Sequence, residues 1–305
     1  MLVLGAGGTV GEAWLTGVVA GIEDASGADL RRVEQFVGTS AGAVVAARLS
    51  AGQRLERPSP QTGTRRRRRR PDPGGEREDA DLLAQAARAL TIGTAGALAS
   101  LLLSGRAPAG ALARRIVLAV VPEGTSSSRL TVRRIADRGA RFDGRLRICC
   151  VDEGTGRRVV FGSPGAPASR VAEAVEASCA IPGVFPPVRI SGRRYVDGGV
   201  WSLTNLDVAA VAQGTRVLCL APIAGPLAAL PSPLAALRAG FDLVTAVEAA
   251  ALRGRGARVR VCRPDAAAAR AMGLSPMDHS RREAAAVEGY RQGRAIAGDA
   301  GLTVI

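Results

Sequence analysis

The run Gly38-Thr39-Ser40-Ala41-Gly42 places a serine hydroxyl in a G-x-S-x-G pattern. It stands between an apolar run, Glu34 to Val37, and an apolar segment from Ala41 to about Leu49. That is the strand–turn–helix context a nucleophilic serine requires. A serine on so sharp a turn needs unfavourable backbone angles, and side chains two residues to either side would collide. Gly38 and Gly42 remove that collision. A helix opening at Ala41 directs free N–H groups and its positive dipole end at the hydroxyl. The chemistry such a serine performs is attack on a carbonyl carbon. Alone, the pattern also fits a serine in an ordinary small-residue turn.

Two further clusters bear on that choice. Gly5-Ala6-Gly7-Gly8-Thr9-Val10-Gly11 lies between a first strand and a helix. As a dinucleotide fingerprint it is imperfect, because G-x-G-x-x-G starting at Gly5 needs glycine where Val10 stands. A looser NAD(P)-binding variant survives, with Asp24 or Asp29 as the ribose acid. The other reading is an oxyanion hole, in which the N–H groups of Gly7 and Gly8 meet a developing negative oxygen. The serine turn favours the second reading, since a nucleotide site has no use for it. The other cluster, Tyr195-Val196-Asp197-Gly198-Gly199, sets an aspartate at a strand end, followed closely by Ser202, Thr204, Asn205 and Asp207. Asp197 could simply cap the turn. Beside Ser40 it becomes a general base, and partial burial raises its proton affinity. His279, the single histidine, follows Asp197 in the order a Ser–Asp–His triad takes. Its setting, Met277-Asp278-His279-Ser280-Arg281, reads instead as an exposed helix start capped by Asp278 or Ser280.

The elements that must position these groups alternate between strand and helix. Met1–Leu4 is a strand running into the Gly5–Gly11 turn, and the helical spacing of Trp14, Val18, Val19 and Ile22 follows. Strands are expected at 34–37, 145–151, 157–161, in a hairpin turning at Ser191-Gly192, at 216–220 and at 258–262, with a polar helix at about 280–297. This alternation argues for α/β layers around a mostly parallel sheet in one domain spanning 1–305. The Arg/Pro-rich stretch at about 53–78 has no apolar periodicity and is expected to be a disordered insert. Residues 79–120 read as Ala- and Leu-rich helices.

Composition limits the alternatives. Every basic residue is Arg, and the formal charge is +14. Residues 56–81 hold eight arginines against six acids, so the excess is spread along the chain rather than concentrated in Arg65–Arg70. Aromatics are 3% of residues and do not interleave with the arginines, which leaves a nucleic-acid groove without support. Contact with an anionic membrane surface is permitted by the charge. The five cysteines have no CxxC spacing and read as buried reduced thiols, with no metal or cofactor implied. The longest apolar stretch, around Ala95–Leu103, is too short to span a bilayer, and no basic leader precedes the first strand, so a cytoplasmic protein is expected.

The ordered set of a glycine-rich turn, G-T-S-A-G, Ala180-Ile181-Pro182-Gly183-Val184-Phe185-Pro186-Pro187 and Asp197-Gly198-Gly199 resembles the patatin-like phospholipases. The likeness is close over about 1–50 and 170–210 and looser elsewhere. It implies a three-layer α/β/α fold with a central, mostly parallel sheet, and a lipid acyl hydrolase using a Ser–Asp dyad. It assigns Ser40 as nucleophile, Asp197 as base and Gly7 and Gly8 to the oxyanion hole. The implied substrate is a lipid or small ester. The family's turn, G-G-G-x-R-G, falls on Ala6–Gly11 with two departures. Ala6 replaces the first glycine but keeps an N–H to donate, and Val10 replaces the basic residue. A catalytically silent relative that only binds lipid fits the same motifs.

Overall fold

Short apolar runs rich in valine, leucine and isoleucine form the strands β1 (Leu2–Leu4), β2 (Phe36–Gly38), β3 (Leu146–Asp152), β4 (Arg157–Phe161), β5 (Val188–Ile190), β6 (Arg193–Asp197), β7 (Arg216–Leu220) and β8 (Arg258–Cys262). The computed structural model describes residues 1–58, 107–124, 139–223 and 232–298. All eight strands share one sheet in the order β5-β6-β3-β2-β1-β7-β8, with β4 paired to β3. From β3 to β8 along that path the pairing is parallel. The strands β4, β5 and β6 add antiparallel pairs at one side.

Side chains alternate between the two faces of the sheet. Leu2, Leu4, Phe36 and Ile148 pack into one core with α1 (Gly8–Ser26), α2 (Ala41–Ser50) and α4 (Val171–Ser178). Val3, Val37, Cys149 and Cys219 face the other way, onto Leu206 and onto Ala249 and Leu252 of α5 (Ser232–Gly254). Further out on that second face, Leu118 of α3 (Ala107–Val120) covers Val151 and Val196. The result is a three-layer α/β/α sandwich. Helices α6 (Ala266–Met272) and α7 (Arg282–Gly298) complete the first layer.

Helices α1 and α7 lie backbone to backbone. A Cβ at Gly17 or Gly21 would sit 2.1 or 2.2 Å from a carbonyl oxygen of α7, and one at Gly289 or Gly293 would sit 2.4 or 2.2 Å from a carbonyl oxygen of α1. Small residues on both helices allow this approach, and Trp14 Nε1 donates to Gln292 Oε1 at 3.1 Å across it.

The chain leaves β1 toward β2 and β3 on one side and returns as β7 and β8 on the other. The carboxyl ends of β1 and β7 therefore flank a switch point, the usual place for a ligand in such sheets, with the carboxyl end of β2 beside it. All eight expected strands are present. The expected turn at 5–11 is shorter, because α1 already begins at Gly8. Helices α4, α5 and α6 are additions to the sequence reading. The Arg/Pro-rich stretch is described only through Pro58, and of 79–120 only α3 is described. The rest of both, including Arg65–Arg70 and Ala95–Leu103, lies outside the described residues. Among the described residues no helix is long and apolar enough to cross a membrane.

Candidate active site

Ser40 joins β2 to α2 with φ 52° and ψ −120°. Only three non-glycine residues with positive φ occur among the described residues: Ser40, Asn205 and Ser191, which turns the hairpin between β5 and β6. Such a conformation costs on the order of 1–3 kcal/mol and persists only where its surroundings hold it. Here the Ser40 N–H donates to Ser178 Oγ at 2.9 Å, and that hydroxyl donates to the Cys149 carbonyl at 2.7 Å. The Thr39 N–H donates to Leu4 O at 3.0 Å, tying the turn to β1. The start of α2 presses against the same strand. A Cβ on Gly42 would meet Leu4 O at 1.9 Å, and one on Gly38 would meet the Ala43 Cα at 2.6 Å. A side chain at either flanking glycine would thus meet backbone.

Asp197 closes β6 and is 5% exposed, as is Ser40. Its Oδ1 accepts the Gly199 N–H at 2.7 Å, so the turn-capping role is also realised. Gly198 lets that turn lie against β3, where a Cβ would come within 2.3 Å of Cys149 O. Burial pushes the Asp197 carboxyl up to about 7, against the opposing hydrogen bonds from Gly199 and from the Ser40 side chain. The structure therefore brings the hydroxyl and the carboxyl together, in surroundings that make the carboxyl a stronger base than one in water.

Gly7 and Gly8 line the same cavity. Among the described residues neither N–H has an acceptor, whereas Val10 N–H donates to Pro276 O at 3.0 Å and Gly11 N–H to Gly7 O at 2.9 Å. Gly8 has φ +60°, and a Cβ there would lie 2.5 Å from Pro276 O. Ala6 departs from expectation. Its N–H is committed to Leu203 O at 2.7 Å, so it is not free for an oxyanion. Val10, where the resemblance calls for a basic residue, is 1% exposed in the core. An arginine reaches this turn from α7 instead, with Arg282 Nη1 donating to Thr9 O at 3.1 Å.

The cavity holds about 70 Å³ and is walled by apolar side chains, among them Ile181, Leu203, Ile223, Phe241 and Met277. Asp197 is its one titratable lining residue among those described. A wider groove of about 770 Å³ lies at the opposite, amino-terminal ends of β1, β7 and β8, lined by Arg216, Arg253, Arg258 and Arg260. The cavity is mainly apolar, while the groove offers mainly positive charge.

The nucleotide reading loses its acids. Asp24 is bonded to Tyr290 and Arg57, and Asp29 caps its own turn and pairs with Arg31. The carboxyl end of β2, where a ribose acid belongs, is occupied by the Ser40 turn. His279 is exposed on a 3-10 turn capped by Asp278 and does not line the cavity. A His279→Ala protein is expected to keep ester turnover within about twofold, as surface replacements away from special features do. Steady-state rates check this, and a collapse would restore the triad.

Three neighbours were given no part in the site from the sequence. Ser178 holds the Ser40 N–H. Cys179, the partly exposed one of five free thiols, borders the nucleophile. Burial and then the Asp197 charge push its thiol well up, opposed by a hydrogen bond with Ser40. Asn205 bonds the Thr39 side chain. Ser178 and Cys179 directly precede the A-I-P-G run, which is the one signal that could have drawn attention to them.

The sequence profile of the patatin-like phospholipase family matches residues 2–210. Among solved structures, VipD from Legionella pneumophila is similar at 15% identity and a TM-score of 0.44. The alignment covers 97% of this chain and 66% of VipD, so the chain spans just under two thirds of that neighbour's length. A search of curated proteins gives no match.

Proposed function

Since the chain belongs to the patatin-like phospholipase family, whose description implies lipid acyl hydrolysis, we propose that it cleaves carboxylic esters through an acyl-Ser40 intermediate with Asp197 as base. The observation that carries this reading is the pairing of a strained serine with a buried, proton-seeking carboxyl in one apolar cavity. Ser40 Oγ attacks the ester carbonyl as its proton passes to Asp197. The negative oxygen of the tetrahedral intermediate takes the N–H groups of Gly7 and Gly8, donors already in place and without other partners among the described residues. As the intermediate collapses, the C–O bond to the alcohol breaks and the alkoxide takes the proton from Asp197. Water then attacks the acyl-enzyme, gives its proton to Asp197, and the released Ser40 oxygen recovers it.

An acyl chain would lie along the apolar wall of the cavity, and that wall supports a lipid or small-ester substrate. The formal charge of +14 suits a cytoplasmic protein that meets an anionic lipid surface. Labelling with a fluorophosphonate probe tests the chemistry. The native chain is expected to label and Ser40→Ala to remain unlabelled while still folded. Equal labelling of both, or of neither, would remove Ser40 from the mechanism. The second outcome, together with retained lipid binding, is what a catalytically silent relative would give.

A further inference from the structure

The catalytic pair stands on two separate turns, one after β2 and one after β6, and something must fix their spacing. We propose that Asn205 is the positioning residue that locks these turns to one another. This rests on the Ser40–Asp197 reading above. Asn205 Nδ2 donates to Thr39 Oγ1 at 3.1 Å and to Gly198 O at 3.3 Å. Thr39 immediately precedes the nucleophile and Gly198 immediately follows the base, so one amide spans the chain neighbours of both. The same nitrogen, its two hydrogens shared among three acceptors, also donates to Ser202 O at 2.7 Å, which closes its own loop. Thr39 and Asn205 are both fully buried, at 0% exposure, so water does not replace these bonds.

Asn205 is itself held from several sides. Its Oδ1 accepts from Arg158 Nη1 at 3.1 Å, and Arg158 makes a two-point bridge to Asp207 at 2.6 and 2.7 Å. The Arg158 guanidinium stands 5.2 Å from the Trp201 ring centroid, which limits its movement on the other flank. Ser202 Oγ accepts the Asn205 N–H at 3.0 Å. Buried Glu248, from α5, accepts from Thr204 Oγ1 at 2.7 Å and from the Leu206 N–H at 2.9 Å, gripping the residues on either side. Burial, reinforced by the Asp207 charge, raises the Glu248 carboxyl. Asn205 also adopts the left-handed conformation, φ 47° and ψ 37°. Asparagine tolerates that region better than most side chains, and this explains the residue type at a position where a longer amide could not replace it. Two of the three non-glycine residues of positive φ among the described residues are thus linked through a single hydrogen bond to Thr39.

A double-mutant cycle tests the link. Asn205→Asp keeps the size, the left-handed tolerance and the acceptor facing Arg158, but loses the donor. Thr39→Val removes the acceptor at the other end. Turnover of a soluble short-chain p-nitrophenyl ester is measured on the alkaline plateau, with urea unfolding alongside. Each single change is expected to lower kcat by about 10- to 100-fold with KM within about twofold, because misplacement of reacting groups acts on the chemical step. The double variant is expected to be no slower than the worse single, since the Asn205–Thr39 contact is already lost in each. Retained kcat in either folded single variant, or losses that multiply in the double, would overturn the role. If Asn205→Asp fails to fold, Thr39→Val decides alone by the same kcat criterion. Ser40-dependent fluorophosphonate labelling of the native chain keeps the dyad reading standing whatever these variants do. Its absence removes both readings together.

Discussion

An Asp197→Asn protein is expected to turn over esters at least about 10³-fold more slowly than the native chain, the scale of a lost general base, yet to be the more stable of the two above about pH 4, by its full margin above about pH 7. The two effects share one cause. Burial lifts the Asp197 carboxyl from 3.8 to about 7, so the folded chain holds this proton over a range where the unfolded chain has released it. Through that window the native state binds more protons, and stability falls as pH rises from about 4 to about 7 before levelling. Asparagine has no charge to bury and escapes the fall. A carboxyl lifted that far loses roughly 4 kcal/mol of folding free energy on ionising, so the variant gains on the order of that amount at about pH 8 and nothing at about pH 4. Its amide oxygen can still accept the Gly199 N–H. Urea midpoints at the two pH values, with kcat for the native chain across the same range, measure both arms. The native rate should climb with an apparent pKa near 7, where the base ionises. Equal pH dependence of stability in the two proteins would show that the carboxyl is not buried in its charged form.

Gly42→Ala, a single added methyl, is expected to cost more than about 4 kcal/mol and to abolish turnover, an effect in the exceptional range for point changes. The methyl carbon would fall 1.9 Å from Leu4 O and 2.3 Å from Leu4 C. Those atoms are backbone in the central strand β1, which is bonded on both edges to β2 and β7. Neither partner can yield cheaply, so either α2 lifts away, carrying Ser40 out of its strained turn, or β1 shifts. Thermal unfolding and fluorophosphonate labelling report on the two possibilities. A folded, fully labelled Gly42→Ala protein would mean that the elbow has more room than the structure gives it.

The sheet was legible because its strands are short, apolar and interrupted by glycine or charge, as in Arg216–Leu220 and Arg258–Cys262, which the sequence reading bounds as the structure does. Helices α4, α5 and α6 were less so. Their alanine-rich sequences, AAAARAM in α6 for instance, carry too little contrast between faces for a period to emerge. The site divides the same way. Residues whose conformation is set by local sterics, Ser40 with Gly38 and Gly42, announce themselves through spacing. Residues whose role depends on distant partners do not. Ser178 meets Ser40 across 138 positions and Asn205 meets Thr39 across 166, and no local pattern encodes either meeting. The occupied N–H of Ala6 was hidden for the same reason, since its acceptor, Leu203, comes from the far side of the fold.

The glycine interlock of α1 with α7 has a kinetic consequence. It joins stretches separated by some 270 positions, as the Trp14–Gln292 bond across 278 shows, and contacts of such separation form only after a large loss of chain entropy. The first turn of α1 is held by that same distant stretch, through Pro276 O and Arg282. The Gly7 and Gly8 amides therefore take their final places late in folding, after the Ser40 turn has met β1 through the Thr39 N–H and Leu4 O, although its bond to Ser178 also waits on a distant stretch. Refolding followed by two probes should show the serine environment assembling before activity returns.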